Sequence, residues 1–189
     1  MEKKSYYQNL IKSVIEASES DIWEEVVQEW EIFDCEEDDT CSSECICKHE
    51  GLKYLYTIRN DNNGNILFPI GSSCIKKFGR EKLNEEISIM EQMFSLLHAV
   101  ERHERIELNT KYFSKKLLEK LYTEDVFIPN KYNNYDGQND YEFLLKMFRK
   151  TNKSDITEAQ HRKIRAIIMN SILPYLNRKL KHKKSRDKI

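Results

Sequence analysis

Apolar side chains near the N-terminus fall at Tyr6, Leu10, Ile11, Val14 and Ile15, a three-and-four spacing that places them on one face of a helix. Behind Ser20-Asp21, a capping signal, the same spacing returns at Ile22, Trp23, Val26, Val27 and Trp30 and predicts a second short helix. The pattern then changes. Leu52-Lys53-Tyr54-Leu55-Tyr56-Thr57-Ile58 is rich in β-formers, Asn62-Asn63-Gly64 signals a turn, and Ile66-Leu67-Phe68-Pro69-Ile70 is a second short apolar run, so this stretch predicts a β-hairpin.

Beyond the hairpin, Leu83, Ile87, Met90, Phe94 and Leu97 step by four, three, four and three residues, which predicts a long amphipathic helix running to about residue 106. Its Met/Phe stripe reads as core. Leu117, Leu118 and Leu121 mark another helix, Tyr132 to Gly137 a polar loop, and Phe143, Leu144, Met147 and Phe148 a further helix. In Thr157-Glu158-Ala159-Gln160 a threonine with a glutamine three residues on forms a capping box, and Ile164, Ile167, Ile168 and Ile172 supply the buried face of the helix it opens, before Pro174.

Composition sharpens this. Five glycines and three prolines in 189 residues exclude collagen-like, linker and Pro-rich classes and favour helices. No apolar run approaches the roughly 20 residues of a membrane span, and Met1 to Tyr7 leads into no signal-peptide core. The expectation is a soluble, cytoplasmic protein with no membrane partner.

The net charge of -1 conceals a segregation: Glu16 through Glu44 holds thirteen Asp or Glu and no Lys or Arg, leaving the rest of the chain strongly basic. At the far end Arg178, Lys179, Lys181, Lys183, Lys184, Arg186 and Lys188 face a single acid, Asp187, and read as a phosphate-binding arm or a solvated helix end.

The strongest chemical signal is the cysteines. Cys35, Cys41, Cys45 and Cys47 fall within thirteen residues, His49 follows, and Cys74 lies directly beyond the hairpin. In a reducing compartment such clustering points to metal ligands, and zinc takes four thiolate or imidazole ligands in a tetrahedron. Cys45 and Cys47 would sit on a knuckle before the first strand, and Gly71-Ser72-Ser73-Cys74 on a turn into a helix whose N-terminus favours a thiolate. The fourth ligand is Cys41 or His49, with Cys41 preferred as the stronger zinc ligand and Cys35 left as a buried or free thiol. Four protein ligands make a closed, structural zinc site.

The fold class expected is therefore α+β, mainly α: N-terminal helices over 1–34, a zinc-bound hairpin module over 35–82, a helical region over 83–177 and a basic tail over 178–189.

Over about residues 22 to 80 the sequence resembles a family of small proteins from phages and mobile elements of Gram-positive bacteria. The resemblance is carried by Glu29-Trp30, Cys45-Ile46-Cys47-Lys48-His49, Tyr56-Thr57-Ile58-Arg59-Asn60, Asn63-Gly64 and Ile70-Gly71-Ser72-Ser73-Cys74-Ile75-Lys76-Lys77-Phe78. It implies a treble-clef-like zinc module. The family usually has glycine where Lys48 stands, at a knuckle position that often needs a positive φ. The heavy use of Lys, Ile, Asn, Glu and Tyr fits an AT-rich source of the same kind.

No phosphate-cradling loop, metalloprotease helix or nucleophile elbow occurs. His98 and His103 beside Glu101 and Glu104 form a weak metal constellation that exposed helix surface explains better, so no enzyme is expected. The first functional expectation is a nucleic-acid-associated accessory protein, with Lys53, Arg59, Lys76, Lys77 and Arg80 contacting DNA or RNA and Tyr54 and Tyr56 near by for stacking. The second is an inhibitor of a DNA-processing protein such as an RNA-guided nuclease, anti-CRISPR-like, presenting Glu36, Glu37, Asp38 and Asp39 as a mimic of phosphate.

Overall fold

The first apolar stripe forms α1, Glu2–Glu16, and buries Leu10 and Val14 completely. The computed structural model describes residues 2–181, so Lys183, Lys184, Arg186 and Lys188 of the basic tail lie outside the described residues. The chain divides into two units, Met1–Ser88 and Ile89–Ile189.

In the first unit the expected second helix is a single turn, α2, Trp23–Val26, and Trp30 instead opens strand β1, Trp30–Glu37. Two short strands follow, β2, Ser43–Glu44, and β3, Glu50–Leu52, paired antiparallel. The predicted hairpin is β4, Tyr54–Asn60, and β5, Ile66–Ile70. It gains β1 on its other side, giving an antiparallel sheet of order β1-β4-β5 with Trp30 opposite Asn60 and Cys35 opposite Tyr56. The helical spacing from Ile22 to Trp30 misleads because pairing with β4 outweighs local preference. The chain then turns through α3, Ser72–Ile75, and a 3₁₀ turn at Lys76–Phe78, which ends on Gly79 in the left-handed region.

Helix α4, Glu81–Glu101, starts in the first unit, where Leu83 and Ile87 are buried, and continues into the second, where Met93, Phe94, Leu96 and Leu97 are buried. It stops short of residue 106 because His103 takes a positive φ of 59°. The rest of the second unit is helical. Helix α5, Lys115–Thr123, is capped by Ser114, and α6, Gly137–Arg149, by Asp136. A Cβ on Gly137 would stand 2.0 Å from the Phe127 carbonyl oxygen, so the first residue of α6 has to be glycine.

Helix α7, Glu158–Ile167, carries the complete capping box, the Thr157 hydroxyl accepting from the Gln160 N–H and the Gln160 amide oxygen accepting from the Thr157 N–H. It passes through a π turn at Ile168–Ile172 into α8, Leu173–Lys181. Pro174 thus does not close the helix: it sits in the first turn of α8, where a missing N–H costs nothing, and the π turn absorbs the change of register. The chain is therefore α+β with a small antiparallel sheet, and among the described residues no helix is long and apolar enough to cross a membrane.

The first unit is held at one buried carboxylate. Glu29, 5% exposed, accepts hydrogen bonds from the N–H of Glu19 and of Ser20, both at 2.9 Å, and from the Asn60 side-chain amide. The adjacent Trp30, fully buried, donates its indole N–H to Ser18 Oγ at 2.8 Å. The pair pins the loop after α1 to the end of β4. Burial works to raise the Glu29 pKa, yet the three donors prevail and hold it below the ordinary 4.5. A depressed carboxylate adds stability above its unfolded pKa and loses it as pH falls through the folded value. The stability of the protein is therefore expected to decline as pH drops below 4.5. Glu29→Gln flattens that decline and costs about 2 kcal/mol at neutral pH, as read from urea unfolding across a pH series.

Candidate metal centre

The strand pair β2–β3 carries a tight turn at its tip. The Lys48 N–H donates to the Cys45 carbonyl at 2.7 Å and the Cys45 N–H to the His49 carbonyl at 2.8 Å, which folds Cys45 to His49 into a knuckle. The knuckle is docked from two sides: the Ile46 N–H donates to the Pro69 carbonyl at 2.9 Å on β5, and the Asn9 side-chain amide of α1 donates to the Cys47 carbonyl at 3.2 Å. Lys48 has φ 75°, the left-handed conformation that favours glycine.

Facing the knuckle, α3 supplies Cys74. The Sγ atoms of Cys45, Cys47 and Cys74, all buried, lie within 4.8 Å of one another, with Cys45 and Cys74 at 3.8 Å. That is no disulfide. Two thiolates at about 2.3 Å from one tetrahedral zinc stand roughly 3.8 Å apart, so the spacing matches a shared ion. Gly71 completes the wall: its N–H donates to Cys45 Sγ at 3.4 Å, and a Cβ there would stand 2.9 Å from Leu52 Cδ2.

The thiols are electrostatically unequal. The hydrogen bond between Cys45 and Cys74, together with the N–H groups of Cys47 and Gly71, holds the Cys45 pKa down at about 5 against burial. The same hydrogen bond, with burial, pushes Cys74 far up, and burial raises Cys47. The surroundings thus favour a thiolate at Cys45 and neutral thiols at Cys47 and Cys74. Three close cysteines poised in this way could hold a metal ion.

Of the other expected ligands, Cys41 is exposed, has a positive φ of 50°, and points its thiol at the Asp38 carbonyl at 3.7 Å, outside the group of three. His49 is exposed, stacks edge-on against Tyr6 at 5.5 Å between ring centres, and lines the same cavity as the three cysteines. Cys35 is buried in β1.

That cavity, about 720 Å³, also takes in Tyr7, Lys53, Tyr54 and Lys77. Lys77 Nζ lies 5.3 Å from the centre of the Tyr7 ring, and Lys53 Nζ lies 5.4 Å from that of Tyr54. Lys76 and Lys77 are exposed. The other expected nucleic-acid residues are engaged within the fold. Lys53 pairs with Glu37 at 3.4 Å and Arg59 with Asp61 at 3.5 Å. Arg80 donates to the Val27 and Trp30 carbonyls and to Glu31.

The acidic block is likewise occupied. Asp38 accepts from the N–H and hydroxyl groups of Thr40, Ser42 and Ser43, a cage that holds its pKa well below the usual carboxylate range. Glu36 is half-buried and Asp39 exposed. In the second unit His103 is exposed, and Glu104 is held at about 2 by hydrogen bonds from Lys111, Tyr112 and Arg102.

Comparison with protein-family models, curated proteins and solved structures finds no match. The knuckle's strain is directly measurable. Lys48→Gly removes a side chain from the left-handed region and raises stability by about 1 kcal/mol, read as a higher unfolding midpoint, even though the exposed Lys48–Glu44 pair at 2.9 Å is lost.

Proposed function

We propose that the chain is a non-enzymatic zinc protein of a phage or mobile element, in which a treble-clef-like module is stapled by the metal and docks on nucleic acid or on an enzyme that handles it. The observation that carries the zinc is the triad of buried Sγ atoms within 4.8 Å of one another. Its separations suit thiolates on one tetrahedral ion, and the knuckle is already closed by backbone hydrogen bonds. His49, on the knuckle and lining the same cavity, is the better candidate for the fourth ligand than Cys41. With three thiolates and an imidazole the metal would have no open position, so it would supply folding energy.

What supports the nucleic-acid reading is the face beside the metal. Lys77 lines that cavity, Lys76 next to it is exposed, and Tyr7 and Tyr54 lie under the ammonium groups of Lys77 and Lys53, a pairing of cations and rings suited to phosphates and unstacked bases. The acidic-mimic reading is weaker, because Asp38 and Glu37 are used inside the fold.

Two measurements check this. Cys47→Ser and Cys74→Ser are expected to lower the melting temperature steeply and to abolish the destabilising effect of a chelator, while Cys41→Ser behaves as the parent; equal behaviour of all three contradicts the assignment. Binding of a labelled single-stranded oligonucleotide is expected to weaken steeply with salt, and Lys76→Glu with Lys77→Glu to weaken it at least about tenfold. Retention of full affinity by that double variant overturns the docking face.

A further inference from the structure

A second cavity, about 740 Å³, lies wholly within the second unit, between the loop before α6 and the outer face of α7. The π turn at Ile168–Ile172 falls along its wall, so that Asn170 and Ser171 face the cavity together with Arg162, Lys163 and Ala166 of α7. Such single-turn widenings inside helices recur at binding sites because they re-aim side chains that a regular helix would turn away.

The charges at this wall are arranged for an anion. Asp140 is 4% exposed and lies in α6. Lys163 Nζ lies 3.2 Å from its Oδ1, yet that oxygen accepts no hydrogen bond. The ammonium is held beside the carboxylate by charge. The Phe143 ring, centred 4.7 Å from the same Nζ, restrains it from another side. Asp140 is itself fixed by Asn133, whose amide donates to Oδ2 at 2.9 Å. Lys163 is thus a pre-oriented cation at the cavity wall, and its neighbour Arg162 is exposed. Asp140 is the only carboxylate against these two cations on the lining, so the cavity is net positive.

The loop side of the lining carries Ile128, Asn130 and the Tyr132 ring, with Lys131 Nζ 5.0 Å from the centre of that ring. Tyr132 is 79% exposed and Ile128 59% exposed, an unusual investment of large apolar surface on a loop. The backbone beneath them is rigid: the N–H of Tyr132 donates to Asn130 Oδ1 at 2.8 Å, and Asn133 Oδ1 accepts from the Asn130 N–H at 2.7 Å. A stacking ring, two cations and neutral amides around a space of this size describe a ligand with a phosphate and a flat heteroaromatic group.

We propose that this cavity binds a nucleotide, its phosphate on Arg162 and Lys163 and its base against Tyr132, with Asp140 as the positioning residue for Lys163. The assignment extends the nucleic-acid reading to the second unit but does not depend on the metal module. One ligand chemistry, the nucleoside phosphate, serves either a free nucleotide or one residue of a strand.

The test uses the full chain, with calorimetric titration of adenosine 5′-monophosphate, adenosine and inorganic phosphate, and anisotropy of a labelled short oligoadenylate. Arg162→Ala and Tyr132→Ala alter exposed side chains, and thermal melting checks that both stay folded. Each is expected to weaken binding about tenfold, and Lys76→Glu with Lys77→Glu to leave mononucleotide binding unchanged, which separates this site from the docking face. Weaker mononucleotide binding in the Arg162 and Tyr132 variants supports a free nucleotide; weaker oligoadenylate binding alone supports a strand. Insensitivity of both probes to both variants, or phosphate alone binding as tightly as the mononucleotide, overturns the proposal.

Discussion

The Sγ atoms of three buried cysteines, Cys45, Cys47 and Cys74, meet within 4.8 Å of one another and could hold a metal ion. In the first unit the fold permits one thiolate, at Cys45, by surrounding it with the donors of Cys74, Cys47 and Gly71. The remaining sulfurs are pushed toward the neutral form by burial and by that first charge. A dication reverses the balance at all three positions together, and in doing so would join elements distant in sequence: the knuckle at Cys45 to His49, and α3 after the hairpin. The knuckle's other attachments, Ile46 to Pro69 and Asn9 to Cys47, are individual hydrogen bonds. Bonds of that kind contribute about 1 kcal/mol each, far less than a metal held by the three sulfurs would add.

The other end of the unit depends on Glu29 and Trp30. Their partners, Glu19, Ser20, Ser18 and Asn60, close the loop after α1 onto the sheet. Two of the motifs that carry the family resemblance, the Glu-Trp pair and the Asn60 that ends β4, therefore meet in one hydrogen-bonded cluster. Their work is structural. The third motif, from Ile70 to Phe78, divides its roles: Gly71 and Cys74 wall the sulfur cluster, Ile75 and Phe78 are buried, and Lys76 and Lys77 face solvent. One short motif is thus divided between core, cluster and surface.

Much of this was legible in the chain where the signal is local. Helix α1, the β4–β5 hairpin, α5 and α6 follow from apolar spacing, and the Thr157–Gln160 capping box appears where it is read. Lys48 has a positive φ of 75°, as the glycine expected at that position from the resemblance suggests. Strand β1 was not legible, because four of its eight residues are acidic and its order comes from pairing with β4, whose residues lie well beyond it in the chain, Trp30 opposite Asn60 and Glu37 opposite Tyr54. The fourth ligand stays between two residues: thiolate strength favours Cys41, whose thiol points at the Asp38 carbonyl outside the group of three, while His49 lines the cavity of the three cysteines. The charge count alone does not show that Glu31 pairs with Arg80 and Lys82 and Glu37 with Lys53. The cavity of the second unit has no motif at all, being assembled from a loop and two helices that meet only in the fold.

The most direct test of the central claim is native mass spectrometry of untagged protein, purified without added metal and compared with its acid-denatured mass. The account predicts one zinc ion per folded chain, lost together with tertiary structure on treatment with a strong chelator. A folded chain carrying no metal, with Cys45, Cys47 and Cys74 all reactive as free thiols and unchanged stability in chelator, would contradict it.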